Sequence, residues 1–249
     1  SYAGRAPSGN RIAVVNNGGV IRVDGGTVAF TNLTAATPAN ASRMLVGDWS
    51  SGRMAVTAGT FSMNGVFTAG ETNRNVEFYI GNGAGSDGRM EVSGTGRAEL
   101  GRGWGTVLYI GNSSGSYGHL EVSGTGRVEV GNEWVTCLNI ANSGTGILEL
   151  KDRAEFEFLS TNRTAYLAIS AGSTGRVTVA GNSRFLMPTQ LSVSSFYMGT
   201  GAGALAEITV CDDGVMRIHK GSGLLMGGAD TLGQSVITVR DRGYFEAGG

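Results

Sequence analysis

Proline, cysteine and histidine are scarce in this chain: its 249 residues hold 3, 2 and 2 of them. With so few prolines and no Gly-X-Y period, the 43 glycines form neither a collagen helix nor a Pro/Gly-rich disordered tract. Cys137 and Cys211 fall at different places in the repeats described below, so no disulfide is expected between them. They read as small packed or half-exposed side chains, and cysteine usage leaves the cellular compartment open. His119 and His219 are likewise non-equivalent, and no His/Asp, Ser/His/Asp or metal-ligand set is apparent. Charge of one sign is missing too. The net charge is −1, which gives no electrostatic reason to expect nucleic acid or an anionic membrane as partner. No apolar run approaches the ~20 residues of a membrane span. No signal peptide opens the chain, and a start at Ser1 reads as a mature or trimmed product.

What is present is a repeat. Residues 78–101 read FYIGNGAGSDGRMEVSGTGRAELG and residues 108–131 read LYIGNSSGSYGHLEVSGTGRVEVG, with Ile80 and Ile110 at matching positions 30 residues apart. Each unit carries three short apolar–polar–apolar trios. In the first copy they are Phe78-Tyr79-Ile80, Met90-Glu91-Val92 and Ala98-Glu99-Leu100. Alternation with period two puts the outer members of each trio on one face. The pattern continues as Leu138/Ile140, Leu148/Leu150, Phe156/Phe158; then Leu167/Ile169, Val177/Val179, Phe185/Met187. It ends with Phe196/Met198, Ile208/Val210, Met216/Ile218 and Leu224/Met226, Ile237/Val239, Phe245/Ala247. Two weaker units precede them: Val14, Val20 or Ile21 with Val23, Val28/Phe30; and Met44/Val46, Met54/Val56, Phe61/Met63. Polar insertions at 31–43 and 64–77 interrupt these early units and read as surface excursions.

Three strands in ~30 residues, joined by glycine corners, predict an all-β chain forming a single domain over 1–249: a single-stranded parallel β-helix, or β-solenoid. About eight coils of three short strands are expected, near 12–30, 44–63, 78–100, 108–130, 138–158, 167–187, 196–218 and 224–247. One core ladder should run Ile80, Ile110, Ile140, Ile169, Met198, Met226. A β-propeller also repeats, but its blades need four strands in ~40–45 residues.

Candidate sites follow from the outward positions. Glu91, Glu121 and Glu149 share one column, and Glu99, Glu129 and Glu157 another, with Glu246 further along. Carboxylate rows could hold calcium or act as acid and base. Yet a polar residue is what an outward strand position demands, and Arg97 and Arg127 stand where they can neutralise the second row. Polysaccharide cleavage would need carboxylates converging on one sugar, ~5–9.5 Å apart in hydrolases. Asp152, Asp212-Asp213 and Asp241 occupy corners, where turn chemistry explains them, and Asp48, Asp87 and Asp230 lie in first loops. The segment Gly83-Ala84-Gly85-Ser86-Asp87 is one unrepeated fragment of a calcium-binding nonapeptide pattern. No cofactor is expected. The aromatics offer more. Tyr79, Tyr109 and Tyr197 share an outward column interrupted by Asn139 and Ala168. Trp104 and Trp134 are equivalent on adjacent coils, and Trp49 lies in a first loop. Such rings could bind glycans or a partner, or shield the ladder by cross-strand packing. Asn32, Asn40, Asn112 and Asn162 open glycosylation sequons.

The phrases YIGNGAGSDGRMEVSGTGRAELG and YIGNSSGSYGHLEVSGTGRVEVG resemble the glycine-rich repeats of bacterial autotransporter passenger domains and PEP-CTERM-associated surface proteins. The similarity covers Met44 to Ala247, and the last two units lose the Gly-Thr-Gly corner to Cys211-Asp212-Asp213-Gly214 and Arg240-Asp241-Arg242-Gly243. The resemblance implies an extracellular or cell-surface β-solenoid, usually without an enzyme site. The expected role is therefore a non-enzymatic structural rod, a fibre-forming or adhesin-type subunit. Its partners would be further solenoid repeats or copies of itself stacked head to tail through open helix ends. The alternatives are a glycan-binding module using the Tyr and Trp columns, and a polysaccharide lyase or hydrolase.

Overall fold

The computed structural model describes residues 10–33, 41–65, 75–102, 105–131, 135–160, 162–187, 194–218, 222–227 and 233–248. The first coil consists of β1 (Asn10–Val15) and β2 (Gly19–Leu33), the second of β3 (Ser42–Val46) and β4 (Ser51–Gly65), and the third of β5 (Asn75–Ile80) and β6 (Asp87–Arg102). Later coils have three strands each. They are β7 (Gly105–Ile110), β8 (Tyr117–Val122) and β9 (Arg127–Val130); β10 (Val135–Ile140), β11 (Thr145–Leu150) and β12 (Glu155–Phe158); and β13 (Asn162–Leu167), β14 (Thr174–Val179) and β15 (Arg184–Met187). Then come β16 (Ser194–Met198), β17 (Leu205–Val210) and β18 (Val215–Ile218), and lastly β19 (Ser222–Met226), β20 (Gln234–Val239) and β21 (Tyr244–Ala247).

Every strand pairs in parallel with its equivalent in the neighbouring coil. An 8-stranded sheet runs β1-β3-β5-β7-β10-β13-β16-β19, and a 13-stranded sheet makes the other two faces. The chain is thus an all-β parallel solenoid. The expected eight coils of three strands need correction. In the first three coils the second and third strands are fused, because β2, β4 and β6 of 15–16 residues bend round the corner without leaving the sheet. Their register slips at that corner, between Val56 and Ala58 for example, so a bulge turns the chain there together with glycines at positive φ, Gly26, Gly59 and Gly94. The insertions are also shorter than expected: β2 reaches Leu33 and β4 reaches Gly65, and 34–40 and 66–74 lie outside the described residues.

One continuous apolar core fills the winding. Period-two alternation puts both outer members of each trio inside, as expected for Phe78/Ile80, Leu120/Val122 and Phe156/Phe158, all fully buried. Aromatic rungs lock together across coils: Phe156 and Phe185 stack at 5.3 Å, and Phe158 and Phe196 meet Phe185 edge-on.

Two core assignments shift, the first by one residue and the second by two. In the first coil Val15, not Val14, pairs with buried Val46, and of the two alternatives Val20 and Ile21 it is Ile21 that pairs with Met54. In the sixth coil Leu167, not Ile169, pairs with Ile140 and Met198. Both Ala165/Leu167 and Leu167/Ile169 satisfy period two. The corner decides between them: Ala168 turns to φ 54, as Gly81, Gly111 and Ala141 do at 74, 72 and 59 directly after their anchors. Ile169 therefore lies beyond the strand.

Candidate functional site

The shift in the sixth coil rewrites the outward aromatic column. It runs Leu45, Tyr79, Tyr109, Asn139, Tyr166, Tyr197, Leu225. Tyr166 stands where Ala168 was expected. Tyr79 and Tyr109 stack at 4.6 Å and 5°, and Tyr166 and Tyr197 at 5.1 Å and 14°. Ring faces that cover one another do not offer a flat platform to a ligand. Tyr79 is buried, and its hydroxyl donates to Glu77 Oε2 at 2.8 Å, which also accepts from Arg43 Nε at 2.6 Å. Burial pushes the Tyr109 hydroxyl up to about 12 and Tyr79 further still, helped there by the charge of Glu77. This column is a packed stripe. Trp104 and Trp134 lie outside the described residues.

Trp49 behaves differently. It follows the first rung of a polar ladder that sequence reasoning missed. Asn82 Nδ2 donates to Asp48 Oδ1 at 2.8 Å, Asn112 Nδ2 to Asn82 Oδ1 at 2.9 Å, and Asn142 Nδ2 to Asn112 Oδ1 at 3.0 Å. The signal was in the sequence: Asp48, Asn82, Asn112 and Asn142 each lie two residues after their anchor. The amide nitrogen of Asn112, a sequon residue, is engaged in this ladder. Beside the ladder's end, Arg11, Val14, Asn16, Asn17, Asp48, Trp49 and Ser50 line a hollow of about 390 Å³. Trp49 is 55% exposed.

The carboxylate rows are interlaced with cations. Arg97 Nη2 binds Glu129 of the next coil at 2.6 Å and Arg127 Nη2 binds Glu157 at 2.5 Å. On the second face, His119, Glu121 and Glu149 bring ligand atoms within 4.8 Å of one another, a juxtaposition visible only once the coils are in register. Lys151 Nζ already sits there, 3.1 Å from Glu121 Oε2 and 2.9 Å from Glu149 Oε2, so an ammonium supplies the charge that a metal would. Next to it, Arg22, Arg53, Arg89, Glu91 and His119 help to line a shallow mixed-charge groove of about 360 Å³. The corner aspartates do turn chemistry: Asp152, Asp212 and Asp241 take φ 62, 57 and 57, and Asp152 Oδ2 accepts from Gly124 N at 2.9 Å. Asp87 pairs with Arg89 and Asp213 with Arg242. His219 and Asp230 lie outside the described residues. Cys137 and Cys211 are free, and burial pushes the Cys137 thiol up to about 11, so it stays protonated at neutral pH.

The coil ends are the third feature. In the seventh coil Phe196, Met198, Ile208, Val210, Met216 and Ile218 are all buried. In the last described coil the equivalent Met226 and Val239 are 47% and 48% exposed, and Leu224, Ile237 and Phe245 are half-buried. In the first coil Ala13, Ile21 and Phe30 are half-buried and Val28 is exposed.

Three parallel faces wound round one core define a repeat protein of the parallel β-solenoid class. Comparison with known proteins goes no further: no protein family, no curated protein and no solved structure matches the chain.

Proposed function

We propose that this chain is a non-enzymatic structural rod that lengthens head to tail, the last coil of one copy seating on the first coil of the next. One observation carries the reading. Apart from Trp49, the exposed large apolar side chains among the described residues all belong to an end coil: Val14, Val20 and Val28 at one end, and Leu225, Met226, Val236, Val239 and Tyr244 at the other. They also match by column. Continuing the observed register by one coil sets Leu225 over Val14 and Val236 over Val20 on the outer surface. Inside, it sets Leu224 over Ala13, Met226 over Val15, Ile237 over Ile21 and Val239 over Val23. Phe245 falls over Val28, and Ala247 over Phe30. Large residues thus meet small ones at two of these rungs, Leu224 over Ala13 and Ala247 over Phe30, as a close-packed core requires.

The backbone supports the same reading. Strands β19, β20 and β21 each have a partner on one side only among the described residues, and an unpaired strand edge is a template for a further strand. Such a contact is heterologous and does not close, so it gives filaments rather than rings. The resemblance of the repeats to surface-displayed passenger domains supports an extracellular or cell-surface setting, with the rod as shaft or fibre subunit.

Sedimentation velocity and negative-stain microscopy test this over a wide concentration range. The expected result is a mass that rises with concentration and rods of uniform width. Val28→Asp blocks one end and Val239→Asp the other, because each would bury an unpaired carboxylate. Each variant alone should stay monomeric, and an equal mixture should stop at dimers. Wild-type protein that stays monomeric at the highest concentration reached would overturn the proposal.

A further inference from the structure

We propose that the hollow beside Trp49 binds one pyranose ring of a neutral glycan. Trp49 is the exposed large apolar residue that the end coils do not explain. It is also held in a conformation that L residues avoid, φ 80, and such strain concentrates at ligand sites. Its indole is seated: a Cβ on Gly83 would lie 2.5 Å from ring atom Cδ2 and 2.9 Å from Cε2 and Cε3. One ring face therefore rests on the Gly83 backbone, and the exposed half of the ring is turned to solvent and to the hollow. The tyrosines spend their faces on each other, whereas this ring keeps one.

The polar lining is built. Asp48 has no exposed side-chain surface, and its Oδ2 forms an ion pair with Arg11 Nη1 at 3.0 Å. Its Oδ1 is tied to the asparagine ladder. Asp48 is thus a positioning residue: it lines the hollow without exposing side-chain surface, and its carboxylate sets the Arg11 guanidinium and balances its charge. Asn16 is fixed by two hydrogen bonds to the Asp48 backbone, at 2.8 and 2.6 Å. The Asn17 backbone N–H donates to Ser50 Oγ at 2.9 Å. A hollow of about 390 Å³ is within the range of small-molecule sites, about 300–1,000 Å³.

An aromatic face beside a rim of Arg, Asn and Ser donors and acceptors matches a pyranose, which has one C–H face and a girdle of hydroxyls. The neutralised Arg11–Asp48 pair favours an uncharged sugar over a uronate.

The probes are hexasaccharides of β-1,4-glucose, β-1,4-N-acetylglucosamine, α-1,4-glucose and α-1,4-galacturonate. They are titrated into the full chain while the Trp49 indole N–H is followed by NMR, with calorimetry in parallel. At least one neutral hexasaccharide is expected to shift that resonance below about 10 mM. Trp49→Ala should weaken binding by about tenfold or more, the loss expected of a stacking ring. Gly83→Ala, which unseats the ring, should weaken it too. Trp49→Tyr should keep part of the affinity, and it decides the matter with the wild-type titration if the alanine variant does not fold. No shift with any neutral probe, binding unchanged in Trp49→Ala, or binding confined to the galacturonate would each overturn the proposal. Val14 belongs to both places, but Trp49 lies on the second coil, so sedimentation of Trp49→Ala should match wild type and a loss of glycan binding there is distinguishable from a loss of the end contact.

Discussion

Glu149 stands between two basic side chains that arrive from different directions. Lys151, two residues on, reaches it at 2.9 Å, and His119 of the preceding coil at 3.4 Å. Burial pushes its carboxyl up, but the hydrogen bond and charge of Lys151, with the charge of His119, outweigh that and hold it below the ordinary carboxylate range. The sign of the consequence follows. A carboxylate whose folded-state pKa is depressed adds stability above its unfolded-state value of about 4.5, and that stability is lost as the pH falls through the folded value. Lys151 therefore matters most where Glu149 is ionised. Replacing Lys151 by Met should lower the melting temperature at neutral pH and flatten its decline between about pH 5 and pH 3. The group is partly solvated, so the change should be small, within the range of surface pairs. Equal slopes for the two proteins would show that this ion pair contributes nothing. The cross-coil pairs Arg97–Glu129 and Arg127–Glu157 follow the same logic: residues about one coil apart in sequence become neighbours because the strands are parallel and in register.

At the scale of one coil, the corner between first and second strands is the most constrained part. The second residue of each second-face strand forms a glycine column, Gly52, Gly88, Gly118, Gly146 and Gly175, before Ala206 and Ser235 take it over. A Cβ on Gly118 would lie 2.1 Å from Ile80 O and 2.3 Å from Gly111 N. Both are backbone atoms and neither can step aside. Gly118→Ala is expected to cost about 1–3 kcal/mol, the range for overpacking a filled site. Ala206→Gly, in the coil that already accommodates a Cβ, should cost only about 0.5–1 kcal/mol in chain entropy. Urea unfolding of both variants measures the difference, and an equal loss would mean that the close approach carries no strain. The connections between first and second strands vary in length and read as loops, so this glycine column was not legible as a corner, whereas the trios from Phe78 to Phe158 were legible as alternation. What alternation cannot supply is its own frame. Ala165/Leu167 and Leu167/Ile169 fit it equally, and even spacing pointed to the wrong one. That choice hid Tyr166, because an outward position is known only relative to its inward neighbours. The fusion of β4 and β6 across their corners is set by bulges, which leave no compositional mark. The asparagine ladder was written at a fixed offset, but a single Asn in a loop reads first as turn chemistry or as a sequon. Trp49 was legible as an aromatic in a first loop. Its seat on Gly83 and the Arg11–Asp48 pair beside it required the coils to be stacked.

For the whole molecule, each coil touches only the coil above and the coil below, so its stability is its own plus two interface terms. An interior coil has both terms. The last described coil has one, and its core positions Met226 and Val239 are nearly half exposed. Its strands should open locally far more often than β17 and β18, whose core residues are buried, because local opening free energy follows the number of buried contacts. Hydrogen exchange reads this directly. In dilute protein, backbone amides of 234–247 should exchange well ahead of those of 205–218. If the end coil is completed by the first coil of another copy, raising the concentration restores its missing interface term. Protection over 234–247 and over 19–30 should then rise together, since both sides of one contact become buried at once. In Val239→Asp the rise should disappear at both places, although the substitution touches only one. A gain in protection at one end alone would point to a partner other than a second copy of the chain. Equal protection of 234–247 and 205–218 in dilute protein would mean that the last coil is already covered and has no vacant face for a neighbour.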